Sequence, residues 1–576
     1  MIEFKNFGFK YNAQVDYTLR DINLKINPGE KILKAGPSGC GKSTLIHCLN
    51  GLIPFSPEGE KEGSLTMDGK DTWDMSIFEM SKKVGTVLQD QDAQFIGLTV
   101  AEDLAFALEN DAVGEPELHD RVAEIADVVN ISSHLLHSPQ ELSGGQKQRV
   151  SLGGVMIDDV DTLLFDEPLA NLDPETGKKA IELIDKIHKK TGDTVIIVEH
   201  RLEDVLWRPV DRIILMEKGR ITADTTPDEL LASGMLKAAG IREPLYVTAL
   251  KYAGVDITPE KKSASLDTID LTDDDKKKVR DWFNEGKTEA EEKNKENILT
   301  VRDLNFTYRS DRSQAEDFHA LRDIDFDLYK GEMMAVVGRN GAGKSTFSKV
   351  ICGFETPDTG SMILGDMDLS TLSIKERADH IGYIMQNPNQ MISKTMIFDE
   401  VAMGLRNKGT MTEEEIEERV NDTLKVCGLW PFRKWPISAL SYGQRKRVTI
   451  AAIMSMEPEI MILDEPTAGQ DYRHYTEIME FLKELNGRGT TVILITHDMH
   501  LMLEYAERSV VFSDGEIIAC DTAANILTNE DIIRRASLKE TSLYGLAKLC
   551  GIDDGRAFVS RFIGHERRSE RNAEPL

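Results

Sequence analysis

Short apolar runs alternate with longer stretches of helical periodicity along this chain, and the alternation is played out twice. Lys31–Ala35, Thr162–Phe165, Thr194–Val198 and Arg212–Met216 are apolar over strand length in the first half, and Met333–Val337, Ile460–Leu463, Thr491–Ile495 and Ser509–Phe512 answer them in the second. Runs of this kind, apolar without alternation, mark strands buried on both faces of a parallel sheet. Strands separated by helices imply an α/β fold with a doubly wound sheet, whose ligands gather at the carboxyl ends of the strands. Each half also opens on an alternating strand that ends in aromatics, Phe7-Gly8-Phe9-Lys10-Tyr11 and Leu304-Asn305-Phe306-Thr307-Tyr308.

The two halves are copies of one plan. Tyr308 follows Tyr11 by 297 positions, Lys344 follows Lys42 by 302 and His497 follows His200 by 297, so the second copy gains five residues in an early loop and loses them before Gln386. Length changes of that sort belong in surface loops. The repeat runs on past the motifs, because Leu245-Tyr246 and Gly254-Val255-Asp256 match Leu543-Tyr544 and Gly551-Ile552-Asp553. The expected organisation is therefore a first domain with a helical appendage over 1–257, a charged linker over 258–297, a second domain with its appendage over 298–554 and a polar, disordered tail over 555–576. The linker carries 12 acidic and 9 basic residues and reads as solvated, with a helical stretch around Val279–Phe283.

Composition narrows the function. The chain has 576 residues, with 69 Lys and Arg against 99 Asp and Glu, a balance that repels a polyphosphate backbone and argues against general nucleic-acid binding. No apolar run approaches the roughly 18 residues that a membrane span requires, and Met1–Lys5 has no apolar signal core, so a cytosolic location is expected. The six cysteines are scattered without a CxxC pair, which disfavours a disulfide frame, zinc knuckle or iron–sulfur cluster.

Two glycine-rich loops carry the chemistry. Gly36-Pro37-Ser38-Gly39-Cys40-Gly41-Lys42-Ser43-Thr44 and Gly338-Arg339-Asn340-Gly341-Ala342-Gly343-Lys344-Ser345-Thr346 each join an apolar strand to a helix. Backbone N–H groups of such a loop wrap the β- and γ-phosphates at the positive helix end, the lysine neutralises phosphate charge and the serine places a hydroxyl on Mg²⁺. Asp166 and Asp464 end apolar strands and can hold that metal, and the adjacent Glu167 and Glu465 can polarise an attacking water. Gln89 and Gln386 offer neutral amides to metal and water, and His200 and His497 can reach the γ-phosphate. Ser143-Gly144-Gly145-Gln146 and Ser441-Tyr442-Gly443-Gln444 each open a helix with an N-cap serine, an end that suits an anion.

With these motifs in this order, both copies resemble the ATP-binding-cassette family, in which Asp173 and Asp471 hold the next conserved place. The resemblance implies two P-loop ATPase domains, each with a parallel-sheet core, an antiparallel β subdomain and an α-helical signature subdomain, and it implies ATP and Mg²⁺ as ligands. It further implies that the signature helix of one domain closes the ATP site of the other. Site one would comprise Tyr11 against adenine with Lys42, Ser43, Gln89, Asp166, Glu167 and His200, closed by Ser441, Gly443 and Gln444. Site two would comprise Tyr308, Lys344, Ser345, Gln386, Asp464, Glu465 and His497, closed by Ser143, Gly144, Gly145 and Gln146. Both are expected to hydrolyse ATP, and Tyr442 departs from the family's glycine at the closure of site one.

Within that family, Val84–Asp90 with Gln94-Phe95, Ile381–Pro388 with Gln390, and Val198-Glu199-His200-Arg201 are similar to energy-coupling-factor ATPases, which drive uptake of vitamins and metal ions; Gln91 replaces the proline common there. By that resemblance, segments 90–110 and 387–408 would receive helices of a transmembrane subunit, with Phe95, Ile96, Met391 and Ile392 as apolar linings, and a substrate-binding membrane protein would complete the complex. The chain would lie on the cytoplasmic face of the membrane. The alternative is a soluble tandem-cassette ATPase acting on ribosomes, whose expected linker is a long basic arm; the linker here is acidic on balance.

Overall fold

The computed structural model describes residues 1–12, 14–56, 58–89, 92–170, 172–286, 296–309, 317–468 and 470–572. Asp90, Gln91, most of the early-loop insertion, linker residues 287–295 and the end of the tail lie outside the described residues. The chain divides into two compact units, Met1–Trp282 with Asp471–Arg473, and Phe283–Gln470 with His474–Leu576.

In the first unit the expected runs become a six-stranded sheet, in the order Arg220–Thr225, Arg212–Glu217, Lys31–Ala35, Thr194–Val198, Thr162–Asp166, Val84–Val87. All neighbours are parallel except the first pair, which is an antiparallel edge. The central strands are buried on both faces because both faces are covered: even Lys31 and Lys34 are buried, and Leu33, Leu164 and Ile197 have no exposed surface. Burying a side chain of this size contributes roughly 1.5–3 kcal/mol. A second, antiparallel sheet runs Leu19–Ile26, Ile2–Tyr11, Gly59–Met67, Lys70–Asp71. Phe4, Phe7 and Phe9 of this sheet, with a register shift between the first two, join Ile32, Leu164 and Ile196 in one core. Helices Val100–Asn110, Glu115–Val128 and Gly144–Met156 form a separate helical layer, with Leu104, Leu108, Ala126 and Val150 buried.

The second unit repeats this plan. Its six-stranded sheet is ordered Ile381–Ile384, Ile460–Asp464, Thr491–Ile495, Met333–Gly338, Arg508–Ser513, Glu516–Asp521, and its antiparallel sheet Phe318–Tyr329, Asn297–Tyr308, Thr359–Leu364, Met367–Asp368. The outer strands Val84–Val87 and Ile381–Ile384 are only four residues long, too short for a periodicity to declare them.

Two expectations are corrected. The tail read as disordered forms the helix Gly555–Asn572, in which Phe558, Val559 and Phe562 are buried. The polar count of that stretch hid an apolar stripe, and Arg567 adds hydrogen bonds to the carbonyls of Glu504 and Ala506 at 3.2 and 2.8 Å. The linker also begins as packed structure: Ser263 is fully buried and accepts from Tyr246 Oη at 2.7 Å, and Asp275 pairs with Lys261 at 2.6 Å. The helix expected near Val279 spans Asp273–Asn284 and buries Val279 and Trp282.

Candidate functional site

Each phosphate loop turns sharply from a sheet strand into the helix Lys42–Leu49 or Lys344–Cys352. The turn needs glycine at its last position, because Gly41 and Gly343 take φ of 100° and 104°. A Cβ on Gly343 would also lie 2.7 Å from the Ala320 carbonyl oxygen. Lys42 Nζ donates to the carbonyls of Gly36 and Pro37 at 2.8 and 3.0 Å, and Lys344 Nζ to those of Gly338 and Arg339 at 2.7 and 2.9 Å. Both ammonium groups thus sit across their loops, where they can supply positive charge to a phosphate. Tyr11 and Tyr308 stand beside the loops through hydroxyl contacts to Thr44 at 2.8 Å and Thr346 at 3.4 Å.

The sheet delivers the carboxylates. Asp166 pairs with Val198 and Asp464 with Ile495 at the carboxyl ends of neighbouring strands. The next residues, Glu167 and Glu465, adopt φ of 49° and 47°, a left-handed conformation uncommon for a side chain of this type. Their amides are held by the carbonyls of Val198 and Ile495, each at 2.9 Å, so the register of the sheet sustains the turn. The turn aims each glutamate at the histidine beyond the neighbouring strand: Glu167 Oε1 lies 2.9 Å from His200 Nε2, and Glu465 Oε1 lies 2.8 Å from His497 Nδ1. Gln89 Nε2 donates to Glu167 Oε2 at 2.6 Å.

Charge and burial separate the acids. Burial, aided by the neighbouring Glu167 charge, pushes the Asp166 carboxyl up to about 6. Burial likewise raises Asp464, although Tyr383 and Ser345 hydroxyls bonded to it act in the other direction. Burial also presses Glu167 upward, but the His200 hydrogen bond and nearby positive charges outweigh it and hold this carboxyl below its usual range. A buried, reluctantly ionised aspartate beside a hydroxyl is a fit place for a hard divalent cation. The oxygens are gathered for it in the second unit, where Ser345 Oγ and Tyr383 Oη approach Asp464 Oδ2 at 3.4 and 3.0 Å. In the first unit Gln89 faces Glu167, the water-polarising candidate.

The signature segments are capped as expected. The Ser143 amide donates to Gln146 Oε1 at 2.8 Å, and Ser441 and Gln444 bond reciprocally at 3.0 and 3.3 Å. Tyr442 begins its helix without strain, and a Cβ on the corresponding Gly144 would meet only ordinary van der Waals contact. Of the suggested apolar linings, Ile96 is exposed, but Met391 and Ile392 pack partly against the helical core.

Three organising residues escape sequence reasoning. Glu199 is buried and accepts from the amides of His200 at 2.7 Å and Leu169 at 3.2 Å, joining the histidine to the loop after Glu167. Tyr383 and Lys446 are the others. A charged residue beside His200 was the available signal for Glu199; nothing local marks Tyr383.

A family model described as ABC transporter matches residues 19–170 and 321–468. One described as ATP-binding cassette cobalt transporter matches 233–306, and an AAA-domain model matches 433–504. A Clostridium perfringens protein named as an ABC transporter ATP-binding protein is 55% identical over 98% of both chains. One of the same name from Enterococcus faecalis is 53% identical over 98% of both. The solved structure of cbiO1 from Clostridium perfringens, described as part of the ABC transporter complex cbiONQ, is 34% identical, covering 41% of this chain and 93% of that one, with a TM-score of 0.37.

Proposed function

Because the chain belongs to the ABC transporter family of ATP-binding proteins and is an ATPase of tandem cassettes, we propose that it is the motor of an energy-coupling-factor type importer. The observation that carries this reading is the match of residues 233–306 to a cobalt-transporter cassette model, over a region outside the nucleotide motifs. It favours a metal ion or another small nutrient as cargo. No helix among the described residues is long and apolar enough to cross a membrane. As the motor of such an importer, the chain would work with membrane-embedded partners, a transmembrane coupling subunit and a substrate-binding protein, on the cytoplasmic face. The exposed side chains of Ile96 and Leu98, which follow the Gln89 loop, offer apolar surface to such a helix.

The mechanism follows from the residues. Lys42 and Lys344 neutralise the phosphates of bound ATP, and the loop amides orient them. Ser43 with Asp166, and Ser345 with Asp464, would hold Mg²⁺, which supplies charge stabilisation to the transferring phosphoryl group. Glu167 and Glu465 take a proton from the attacking water, and Gln89 and Gln386 orient that water. His200 and His497 hold the glutamate carboxylates in place and reach toward the γ-phosphate. By the family resemblance, each site would be completed by the other domain's signature helix, Ser441, Gly443 and Gln444 for site one and Ser143, Gly144, Gly145 and Gln146 for site two. ATP drives closure only as far as it contacts both halves better when closed.

The test is isolation of the tagged full-length chain from its native membranes in mild detergent, with identification of what co-purifies. Integral membrane subunits are expected. Ribosomes in their place would overturn the transporter reading in favour of the soluble alternative.

A further inference from the structure

In the second unit the signature helix grips the Gln386 loop. Lys446, buried on helix Tyr442–Met454, donates from Nζ to the carbonyls of Met385 and Gln386 at 2.9 and 2.8 Å. Tyr442 Oη donates to the same Gln386 carbonyl at 3.3 Å, and Arg445 Nη1 donates to Asn389 Oδ1 at 3.0 Å. The first unit is built differently at the two equivalent places. Gly144 has no hydroxyl to offer, and Gln148 turns to the Pro168 carbonyl at 2.9 Å, behind the glutamate loop. Lys147, at the place of Arg445, keeps the corresponding reach to the loop, at Asp92 Oδ1, 2.6 Å away.

We propose that Lys446, assisted by Tyr442, is a positioning residue that ties Gln386 to the second signature helix, so that movement of this helix moves the glutamine. Under the composite-site reading above, on which this consequence rests, the helix that closes site one thereby sets the water-orienting group of site two. A buried ammonium must keep its acceptors or remain unpaired in a medium of low dielectric, so a shift of the helix carries the two carbonyls with it. Burial lowers the lysine to about 8, while Asp464 and Glu465 favour its charged form. Linked hydrogen bonds between two elements are the physical means by which one site biases another. Gln148 donates to the Pro168 carbonyl and, among the described residues, no bond from it reaches the Gln89 loop, so in the first unit the described tie is to the Asp92 side chain and not to the loop's backbone.

Lys446→Gln, the side chain of the first unit, tests this in the full-length chain within its transporter complex. Hydrogen exchange across 385–389 is expected to rise at least fivefold, with exchange in the first unit within twofold of the parent. The kcat for ATP is expected to fall at least fivefold while KM stays within twofold, and Lys446→Arg to recover at least half of the loss. Unchanged exchange at 385–389, or faster exchange with unchanged kcat, would overturn the proposal. Should Lys446→Gln fail to fold, Tyr442→Gly carries the test, with exchange expected to rise two- to threefold and no rise counting against it. Ser441→Ala separates the two readings: full turnover there with fast exchange in Lys446→Gln removes the composite site and keeps the positioning role.

Discussion

Glu167 is held at both carboxylate oxygens, by His200 Nε2 at 2.9 Å and Gln89 Nε2 at 2.6 Å. In the second unit the histidine uses its other ring nitrogen, Nδ1 of His497 at 2.8 Å from Glu465. Both glutamates are fixed in left-handed backbone by the neighbouring strand. The shared geometry makes both catalytic candidates, and the different histidine contacts make them separable.

Glu167→Gln and Glu465→Gln keep shape and remove the base. A positioned base supplies roughly 10²–10⁴-fold, so each variant should lower steady-state ATP turnover and the double variant should abolish it. Phosphate release measured at saturating ATP decides the matter. A single variant with full turnover would show that its site does not contribute.

Chelation of divalent cations should stop hydrolysis, and Mg²⁺ should restore it. Ser345→Ala removes the hydroxyl that faces Asp464 and should raise the Mg²⁺ concentration for half-maximal activity severalfold. Titration of activity against free Mg²⁺ reads this, and an unchanged midpoint would remove Ser345 from the metal site.

Lys34 lies buried beneath the first phosphate loop, with Nζ 3.0 Å from the Lys42 carbonyl oxygen, where the second unit has Val336. Burial lowers its pKa to about 7, from 10.5 for the exposed group. Between those values the unfolded chain binds the additional proton, so this residue's contribution to stability rises with pH through that window, by at most about 1.4 kcal/mol per unit. Below pH 7 both forms are charged and the burial penalty is borne in full. Lys34→Met should therefore be the more stable at pH 7 and lose that rise between pH 7 and 9. Denaturation midpoints at several pH values check it, and parallel curves for parent and variant would refute it.

Phe558 anchors the carboxy-terminal helix and has no exposed surface. Phe558→Ala should cost about 3–5 kcal/mol, seen as a lower urea midpoint for the second unit. A loss below about 1 kcal/mol would mean that the helix does not pack as described.

Asp166, Asp464, the two phosphate loops and the central strands were legible because each is declared by a few adjacent residues: glycines where positive φ is needed, apolar runs where both faces are covered. The appendage of the second copy was legible as a repeat, but the helix after it was not. Phe558 and Phe562 are few among many charges, and composition averages over a stripe that only packing reveals.

What the sequence determined by itself is the tandem plan, the sheet class and the candidates for phosphate, metal and water handling, since those depend on local spacing and backbone geometry. Tertiary structure alone decided which buried polar groups meet. Tyr383 and Asp464 stand 81 positions apart and Lys446 and Gln386 stand 60 apart. Parallel crossovers and the helical layer bring such pairs together, and no short window of sequence contains both members. A buried donor must find an acceptor or lose its solvation uncompensated, and the fold as a whole selects which one it finds.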